Sequence, residues 1–394
     1  MSETVRKTYK EKLRPTPAQE RALDNVLWRC RDLYNAALEQ RITAWQRCHA
    51  SVSRFEQEAE LKAMRAAFPE YAAIHSHILQ DVLARLDKTY QAFFRRVQRG
   101  EKAGFPRFKG RDRFHSFTFK EYGNGARLDN GFLALSKIGR ISVHWSRPIE
   151  GTPKTVTISR EADGWYVAFS CADVPVQPLP LTGQETGIDL GLESFATLAD
   201  GSQIANPRIF RVAEMALKRA QRRVSRRKKG SHRRRKAVVL LAKAHQHTRN
   251  QRHDFHHQEA RKLVRAYDVI YHEDLRVRNM VQNRSLAKSI SDAGWSAFLA
   301  ILTFKAASAG KRVHAVNPAY TSQTCSGCGV IVAKGLSVRW HQCPDCGASL
   351  HRDHNAALNI LRLGQTQEQS RPGYGLQALT QGVGPYVACE PVGL

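Results

Sequence analysis

Cys325-Ser326-Gly327-Cys328 and Cys343-Pro344-Asp345-Cys346 are two CxxC pairs near the end of this 394-residue chain, with 14 residues between them. At this spacing four thiolates can close a tetrahedron around one Zn²⁺. Gly329 and Gly347 follow the pairs and let the backbone bend so that both sulfurs of a pair point inward. The run His351-Arg352-Asp353-His354-Asn355-Ala356-Ala357 comes next, and its aspartate opens an apolar helix. The pattern predicts a structural zinc ribbon inserted in a larger fold, with four coincidental free thiols as the weaker interpretation.

The charge balance points to a polyanionic partner. The chain has 62 Lys+Arg against 35 Asp+Glu, a formal net charge of +27. Nucleic acid is the commonest partner for such a field, and an anionic membrane surface is the alternative. The longest apolar run, Ala237 to Ala242, is far too short to cross a bilayer, and no basic amphipathic helix stands at the N-terminus. We therefore expect a nucleic-acid partner and no membrane association.

The start of the chain and the remaining cysteines predict an intracellular, cytoplasmic protein that associates with the nucleoid when it is bound to DNA. Met1-Ser2-Glu3-Thr4 opens without a hydrophobic signal core. Four further cysteines show no disulfide-framework spacing, which fits a reducing compartment: Cys30, Cys48, Cys171 and Cys389.

Residues 16–100 are predicted to be helical. Thr16-Pro17-Ala18-Gln19 has the composition of a capping box with proline at the first helical position. Apolar residues then recur at helical spacing in two stretches, from Leu23 to Leu38 and from Ile78 to Val97.

Residues 101–180 are predicted to form a small antiparallel barrel or sandwich, to which residues 1–15 contribute another strand. Asp163-Gly164 is a type I′ hairpin signal, and Pro175 to Pro180 is the clearest linker. Alternating apolar residues mark the strands: Phe117 and Phe119, Ile141 to Trp145, Val156 to Ile158, and Trp165 to Phe169.

A third block has the pattern of a mixed α/β sheet, in which a strand and a hairpin are followed by strand–helix alternation. Its predicted elements are a buried strand at Gly187 to Gly191, a hairpin at Phe195 to Ile204, a long basic helical region, a buried strand at Val269 to Glu273, a helix at Trp295 to Ala309 and a strand at Arg312 to Val316. After Leu363 the periodicity ends, and residues 364–394 are predicted to be a disordered tail.

Three carboxylates stand on or beside these predicted elements: Asp189, Glu273 and Asp353. Each has an ordinary structural alternative, as a turn residue, a strand-end ion-pair partner or a helix N-cap respectively. Together, carboxylates on neighbouring sheet elements can converge on one point. Carboxylate oxygens are the ligands that Mg²⁺ prefers, and two such ions can hydrolyse a phosphodiester.

From about residue 5 to 363 the chain resembles the TnpB family, the OrfB proteins of bacterial insertion sequences and relatives of type V CRISPR effectors. The matching blocks stand in the family's order: Phe105-Pro106-Arg107-Phe108-Lys109, Gly164-Trp165-Tyr166-Val167, Gly187-Ile188-Asp189-Leu190-Gly191, His272-Glu273-Asp274-Leu275, Asn317 to Gly329, and Asp353 to Ile360.

The resemblance implies a multidomain fold that combines α/β, all-α and all-β parts. A RuvC-like (ribonuclease H-like) nuclease domain is interrupted by the zinc ribbon and preceded by a helical recognition lobe and a small β-barrel wedge domain. The implied bounds are 1–15 and 101–180 for the wedge, 16–100 for the recognition lobe, 181–324 and 347–363 for the nuclease domain, and 325–346 for the ribbon.

The resemblance also implies site residues and cofactors. Asp189, Glu273 and Asp353 are the implied metal-binding triad for two catalytic Mg²⁺ ions, and four cysteines are the expected ligands of one structural Zn²⁺: Cys325, Cys328, Cys343 and Cys346. Asp274 neighbours Glu273 and strand alternation places it on the opposite face, so only the resemblance selects between the two.

A basic segment between Lys218 and Lys236 is predicted to contact nucleic-acid phosphates, since cations at this density repel one another without a polyanion. A solvated charged face is the alternative. The residues are Arg222, Arg223, Arg226, Arg227, Lys228, Lys229, Arg233, Arg234, Arg235 and Lys236.

Other aromatic and histidine residues receive structural interpretations. Four aromatic residues could stack on bases, but we expect most of them in cores: Tyr9, Tyr34, Trp45 and Trp145. The i, i+4 pair His253 and His257 lacks a third ligand in the pattern and is assigned to a basic helix face.

The leading hypothesis is an RNA-guided DNA endonuclease of a transposable element, with a guide RNA from the element's end and double-stranded target DNA as its partners. Three alternatives remain: a transposase acting on insertion-sequence DNA ends, a miniature type V CRISPR effector, and a non-catalytic zinc-ribbon DNA-binding regulator. The first two share the carboxylate chemistry, and the third gives no reason for the three carboxylates.

Overall fold

The computed structural model describes residues 3–110, 113–335 and 337–369. The chain divides into two compact units. The N-terminal unit comprises residues 6–175, and the C-terminal unit comprises residues 3–5 together with the described chain from Val176 onward. The helical block and the strand block of the sequence prediction lie in the same N-terminal unit.

The helices of the N-terminal unit carry their apolar residues on one face, as the periodicity predicts. At the first helix the predicted capping box is present: Thr16 Oγ1 accepts from the backbone N–H of Gln19, and the Gln19 side chain accepts from the backbone N–H of Thr16. Leu23 and Leu38 are fully buried on that helix. The helices are α1 (Pro17–Cys48), α2 (Arg54–Ala67), α3 (Pro69–Ala72) and α4 (Ser76–Gln98).

The strands of this part of the chain form one seven-stranded sheet in the order β2-β6-β7-β1-β5-β4-β3. Their ranges are β1 (Thr4–Arg14), β2 (Ser116–Phe119), β3 (Ala126–Asp129), β4 (Phe132–Leu135), β5 (Gly139–His144), β6 (Thr152–Glu161) and β7 (Gly164–Pro175). The predicted β6–β7 hairpin is present, but Glu161 pairs with Gly164, so the two-residue loop is Ala162-Asp163. The positive φ falls on Gly164 (+140°), and the type I′ assignment at Asp163-Gly164 is therefore wrong.

The sheet of the C-terminal unit is mixed, as predicted, with the strand order β10-β9-β8-β11-β12. Strand β11 pairs in parallel with both β8 and β12, whereas β9 pairs antiparallel with β8 and β10. The strands are β8 (Glu185–Asp189), β9 (Ser194–Leu198), β10 (Gln203–Ala205), β11 (Val269–Glu273) and β12 (Arg312–Val316), and a separate two-stranded sheet joins β13 (Trp340–Gln342) to β14 (Ser349–His351).

The core of this unit is mainly aliphatic, with aromatic rings packed at its centre. Phe195 of β9 meets Phe298 edge to face, with ring centroids 4.9 Å apart, and His256 also packs against both rings. None of the helices in the described residues is long and apolar enough to cross a membrane. The helices of this unit are α5 (Ile209–Ser225), α6 (His232–Ala266), α7 (Val277–Met280), α8 (Ala287–Ala293), α9 (Trp295–Ser308) and α10 (Arg352–Gln369).

Helix α10 packs closely on the sheet at two glycines, where backbone meets backbone at Gly187 and where the Tyr271 ring lies against the helix backbone at Gly364. A Cβ added at Gly187 would lie 2.2 Å from the carbonyl oxygen of Ala357, and one added at Gly364 would lie 2.0 Å from the ring of Tyr271. The helix continues to Gln369, so the prediction that order ends at residue 363 is wrong for residues 364–369. Residues 370–394, the rest of the predicted tail, lie outside the described residues.

The proline-rich stretch after Pro175 is fixed to the C-terminal unit and is not a free linker. Backbone N–H groups of Gln177 and Leu179 donate to the carbonyls of Ser308 and Ala309 at the end of α9. The fully buried Lys311 Nζ donates to the carbonyl oxygen of Pro180 at 2.7 Å. Composition alone marked this stretch as a linker, and tertiary hydrogen bonding makes it part of the fold.

Candidate active site

Two of the three predicted carboxylates end adjacent parallel strands. Asp189 is the last residue of β8 and Glu273 is the last residue of β11. The register pairs His272 with Ile188, so Asp189 and Glu273 follow side by side at the carboxyl edge of the sheet. The sequence pattern placed Asp189 in the middle of a strand, and the structure places it at the strand's end. Both side chains are half-buried.

The third carboxylate reaches the same edge from α10. Asp353 is the second residue of α10 and is 8% exposed. It lies inside the first turn, one residue past the helix start, so the N-cap alternative does not fit. A Cβ added at Gly191, just after β8, would lie 3.7 Å from Oδ2 of Asp353. The structure thus brings one carboxylate from each of three elements to the same place.

The electrostatics of these groups reflect burial and mutual repulsion. Burial raises the pKa of Asp189 well above its ordinary value, and the charges of Glu273 and Asp353 raise it further, while Arg352 opposes the shift. Burial likewise raises the pKa of Glu273, against the Thr321 hydroxyl and Arg352. Carboxylates held together at this cost are stabilised by a cation bound between them.

The carboxylates do not form a tight cluster. Among the described residues, one set of three or more Cys, His, Asp or Glu side chains has its ligand atoms all within 4.8 Å of one another, and that set is the cysteine quartet. Asp189, Glu273 and Asp353 are near enough to perturb the pKa of Asp189 but are more widely spread than such a set.

The loop after β12 orients the carboxylate of Glu273. The buried Thr321 hydroxyl donates a hydrogen bond to Oε1 of Glu273. One residue further on, Ser322 Oγ accepts from Nη2 of Arg352 at 3.2 Å, and Arg352 also donates to the carbonyl oxygen of Gly335 at 3.3 Å. These bonds hold the guanidinium group of Arg352 and the carboxylate of Glu273 in fixed positions.

The four cysteines come together as predicted. Sγ of Cys325 lies 3.6 Å from Sγ of Cys346, and Sγ of Cys328 lies 3.6 Å from Sγ of Cys343. Tetrahedral thiolates at about 2.3 Å from Zn²⁺ have sulfurs about 3.8 Å apart, so these distances suit a zinc ion. The glycines after the pairs have positive φ, +84° at Gly329 and +72° at Gly347. The quartet can therefore hold one metal ion.

A polar clamp joins the first cysteine pair to α10. The buried Asn355 side chain donates to the carbonyl oxygen of Thr324 at 2.7 Å and accepts from the backbone N–H of Ser326 at 2.9 Å. One turn later, Asn359 donates to the carbonyl oxygens of Thr321 and Thr324 at 2.9 and 2.6 Å. The loop that enters the zinc ribbon is thus bound to the helix that carries Asp353.

Sequence reasoning missed Thr321, Asn355 and Asn359. Two asparagines at i and i+4 in an otherwise apolar helix were the available signal, because a buried amide requires hydrogen-bond partners. Nothing in the spacing identified those partners as carbonyl groups more than 30 residues away.

The predicted basic segment spans the end of α5, the turn after it and the start of α6. Eight of its ten cationic residues are exposed, while Arg227 and Arg234 are half-buried. Arg234 donates to the carbonyl oxygens of Val224 and Arg227 at 2.7 and 3.3 Å, which caps the end of α5. Arg234 therefore has a structural role, and the exposed residues remain available to a polyanion.

The residues given structural interpretations are mostly buried or half-buried. Tyr9 and Tyr34 lie in the core, and Trp145 is half-buried and stacks on Phe169, but Trp45 is exposed. Asp274, the neighbour of Glu273, is also exposed.

Among the histidines of α6, His256 is buried and bonds through Nε2 to the carbonyl oxygen of Ala293. His253 and His257 lie with ring centroids 4.4 Å apart and are not part of the metal-binding set in the described chain.

Three family descriptions match successive parts of the chain. Residues 295–360 match the Cas12f1-like TNB domain, residues 168–284 match "Probable transposase" (OrfB_IS605), and residues 1–49 match the "Helix-turn-helix domain" of OrfB_IS605. In the structure the last range contains strand β1 and the single 32-residue helix α1. A Streptomyces pristinaespiralis protein named "Putative RNA-guided DNA endonuclease" is 36% identical over 375 residues, covering 92% of this chain and 90% of that protein. The chain belongs to the TnpB (OrfB) family.

Other comparisons agree with membership of the TnpB family. A relative with the same designation, InsQ of Escherichia coli (strain K12), is 29% identical over 380 residues, covering 90% of this chain and 92% of that protein. The cryo-EM structure of a Cas12f1–sgRNA–target DNA complex has a similar fold. It aligns with a TM-score of 0.56 at 13% identity, over 91% of this TnpB-family chain and 98% of that one.

Proposed function

We propose that this chain is an RNA-guided DNA endonuclease that hydrolyses DNA phosphodiesters at Asp189, Glu273 and Asp353. The observation that carries the proposal is the meeting of these three carboxylates at the carboxyl edge of the mixed sheet, where burial and like charge raise the pKa of Asp189. Three buried carboxylates repel one another in the free protein, and a bound cation relieves that repulsion, so the arrangement favours metal binding.

The donors at this edge suit magnesium. They are hard oxygen ligands, and Thr321 orients one of them. When bound, a pair of Mg²⁺ ions supplies activation of a water and stabilisation of the leaving oxygen. Asp189, Glu273 and Asp353 hold the ions, and Arg352 offsets part of their negative charge.

We assign the mixed sheet and α10 to a RuvC-like (ribonuclease H-like) nuclease domain. Residues 181–324 and 347–369 form it, which extends the second segment beyond the expected end at residue 363 because α10 continues to Gln369. Residues 325–346 are its inserted ribbon, whose quartet holds one structural Zn²⁺ with no open coordination position for chemistry.

We assign the helices α1–α4 to a recognition lobe with the expected bounds of 16–100, and the seven-stranded sheet to a wedge domain. The wedge keeps its expected bounds of 1–15 and 101–180 except at its end, which moves to Pro175 because the next residues are bound to the C-terminal unit. In this scheme base pairing between a guide RNA from the element's end and the target strand reads the sequence. The protein reads a short motif beside the target, and its net charge of +27 holds both nucleic acids.

The exposed cations at the α5–α6 turn are proposed as phosphate contacts. Arg222, Arg223, Lys228 and Lys229 are exposed there, near residues whose side chains serve the turn itself. Replacing these four residues by glutamine should weaken the binding of nucleic acids of any sequence to a similar extent. It should also make the binding affinity less dependent on salt concentration.

The test is cleavage by the purified ribonucleoprotein with Mg²⁺ and a duplex that matches the co-purified guide RNA. Asp189→Ala should abolish cutting and leave guide and target binding intact. Asp274→Ala is the matched control, because Asp274 is an exposed neighbour of Glu273. The Asp274→Ala protein should cut normally. Normal cutting by the Asp189→Ala protein would overturn the assignment of the three carboxylates. The absence of a discrete co-purifying RNA would overturn the hypothesis of a guide RNA.

A transposase that joins DNA ends is the second candidate, because residues 168–284 match a family described as a transposase. Both activities use metal-bound carboxylates, so the reaction product separates them. Covalent joining of labelled element ends to a recipient duplex would favour the transposase, and simple cleavage of guide-matched DNA favours the nuclease.

A further inference from the structure

A cationic, aromatic groove lies on the N-terminal unit. It is formed by the second half of α4 and the segment 104–110 that follows the helix, and it encloses a cavity of about 700 Å³. The residues used below that line it are Lys88, Phe93, Arg96, Phe105, Arg107 and Phe108. We call it the α4 groove.

Aromatic rings at the α4 groove are packed against one another and also exposed. The ring centroids of Phe93 and Phe105 are 5.3 Å apart, and those of Tyr90 and Phe94 are 6.2 Å apart with an interplanar angle of 29°. Phe94, Phe105 and Phe108 are nevertheless 54%, 49% and 55% exposed. Grouped exposed phenylalanines of this size mark a site for a partner, since water solvates them poorly.

The charge of the α4 groove indicates the kind of partner. Lys88, Arg96 and Arg107 line it, and the lining residues in the described chain include no Asp or Glu. Aromatic rings interleaved with cations are the combination by which proteins hold unpaired nucleotides, because the rings stack on bases and the cations neutralise phosphates.

The segment 104–110 is held in place before any partner binds. The side chain of Asn35 on α1 accepts from the backbone N–H of Lys109 at 2.8 Å and donates to the carbonyl oxygen of Lys109 at 3.1 Å. Pro106 is buried between the two exposed phenylalanines. A pre-positioned segment lowers the entropic cost of binding.

We propose that the α4 groove binds an unpaired stretch of RNA or DNA, with bases stacked on Phe105 and Phe108 and phosphates beside Lys88, Arg96 and Arg107. An intact duplex fits this chemistry poorly because its bases already cover one another's faces. The inference rests on the proposed function only in assuming a nucleic-acid partner, and it makes no use of the carboxylate site.

Photocrosslinking without Mg²⁺ tests the proposal on the full-length protein. The probes are short single strands of RNA carrying 5-iodouridine, single strands of DNA carrying 5-iododeoxyuridine, and a hairpin duplex of the same DNA sequence. Both single strands should crosslink to peptides containing Phe105 or Phe108, more strongly than the duplex, and the RNA and DNA arms identify the preferred strand. Single-strand crosslinks found solely elsewhere would overturn the proposal.

Affinity measurements on a variant give a second readout. Phe105→Leu with Phe108→Leu keeps apolar side chains but removes the stacking faces, and should weaken single-strand binding about tenfold. An abasic oligonucleotide of the same length should bind both proteins equally, because it retains phosphates and lacks bases.

Phe55→Leu is the matched control, since Phe55 is 70% exposed and lies beside Arg54, outside the groove. It should bind as the unaltered protein does. Single-strand affinity unchanged within twofold in the double variant would overturn the proposal, and tighter capture of an apolar peptide than of a single strand would assign the groove to a protein partner instead. None of these results depends on cleavage, so loss of the triad assignment would leave the α4 groove standing.

Discussion

The hydroxyl of Thr321 donates a hydrogen bond to Oε1 of Glu273, across 48 residues of sequence. The same threonine contributes its carbonyl oxygen to Asn359 on the helix that carries Asp353. One residue thus contacts a strand-end carboxylate and the helix of a second carboxylate, and it fixes their relative position.

Replacing Thr321 with valine should impair metal use more than folding. The change removes the donor to Glu273 and keeps the side chain's shape, and losses of this kind typically cost 10- to 100-fold in metal affinity or activity. Cleavage rate measured against Mg²⁺ concentration should show a raised requirement for the ion. Thr321→Ser restores the hydroxyl and should recover most of the rate. Equal magnesium curves for the valine variant and the unaltered protein would remove Thr321 from the site.

Replacing Asn359 with leucine should destabilise the C-terminal unit. The carbonyl oxygen of Thr321 would lose its side-chain donor in a buried setting, and that of Thr324 would keep only the donor from Asn355, at a cost of about 2 kcal/mol. Denaturant unfolding measures the change in free energy. Gln365→Leu on an exposed position of the same helix is the control and should unfold close to normally. If the Asn359→Leu protein were as stable as the Gln365→Leu control, the hydrogen bonds of Asn359 would contribute nothing to the free energy of unfolding.

Loss of the metal from the cysteine quartet should damage cleavage indirectly. Cys343→Ser removes one of four thiolates, and we expect the zinc content to fall from one ion per chain towards none and cutting to fall with it. The ribbon contributes through the clamp at Asn355, which holds the approach to Asp353. Elemental analysis and cleavage on the same samples check both effects. Cys48→Ser alters an exposed free cysteine and should change neither; full cleavage by a zinc-free Cys343→Ser protein would contradict the coupling.

The free energy of unfolding should decrease as the pH is lowered, because His256 is held neutral in the folded protein. Burial lowers the pKa of this histidine to about 4, although its hydrogen bond to Ala293 opposes the shift. The unfolded chain binds the proton near pH 6.5, so the stability contributed by the neutral ring is full above that pH and is lost as the pH drops towards 4, by up to about 1.4 kcal/mol per pH unit. Unfolding free energies at pH 7.5, 6 and 5 should fall less steeply for His256→Gln. His245→Gln, at an exposed position of the same helix, should leave the slope unchanged.

Adding one methyl group at Gly187 should displace α10. The new Cβ would lie 2.2 Å from the carbonyl oxygen of Ala357 and 2.6 Å from the backbone nitrogen of Leu361, and neither atom can move without the helix. We expect Gly187→Ala to lower the melting temperature and to reduce cleavage strongly. Gly104→Ala has open space and ordinary φ, and should melt normally. An unchanged melting temperature for Gly187→Ala would mean that the helix is not held by this contact.

The sequence predicted the candidate metal-binding residues, but it did not predict the residues that hold them in place by hydrogen bonds. Cysteine spacing predicted the quartet because two CxxC pairs with 14 residues between them can close around one ion, and the structure brings those sulfurs together. The catalytic role of Asp189, Glu273 and Asp353 stays a prediction, although the structure brings the three to one edge of the sheet. The alternation of apolar residues predicted the strands of the seven-stranded sheet, and buried apolar runs alternating with helical segments predicted the mixed sheet.

The remaining features depend on contacts between distant parts of the chain. Asn359 is an ordinary polar residue until its partners at Thr321 and Thr324 are known. Arg234 is one of the ten cationic residues named in the predicted basic segment, and only the fold shows that it caps α5. The stretch after Pro175 has the composition of a flexible linker, but Lys311 and the end of α9 hold it.

The contact of α10 with the sheet has a consequence for redesign of the molecule. At Gly187 backbone meets backbone, so the separation between the strand that ends in Asp189 and the helix that begins before Asp353 is set by main-chain atoms. We expect repacking of the core around Phe195 and Phe298 to leave that separation nearly unchanged, because it alters side chains and not the main-chain atoms in contact at Gly187. The interior of this unit can therefore be re-engineered for thermal tolerance with little effect on the spacing of its carboxylates, provided that the glycine is kept.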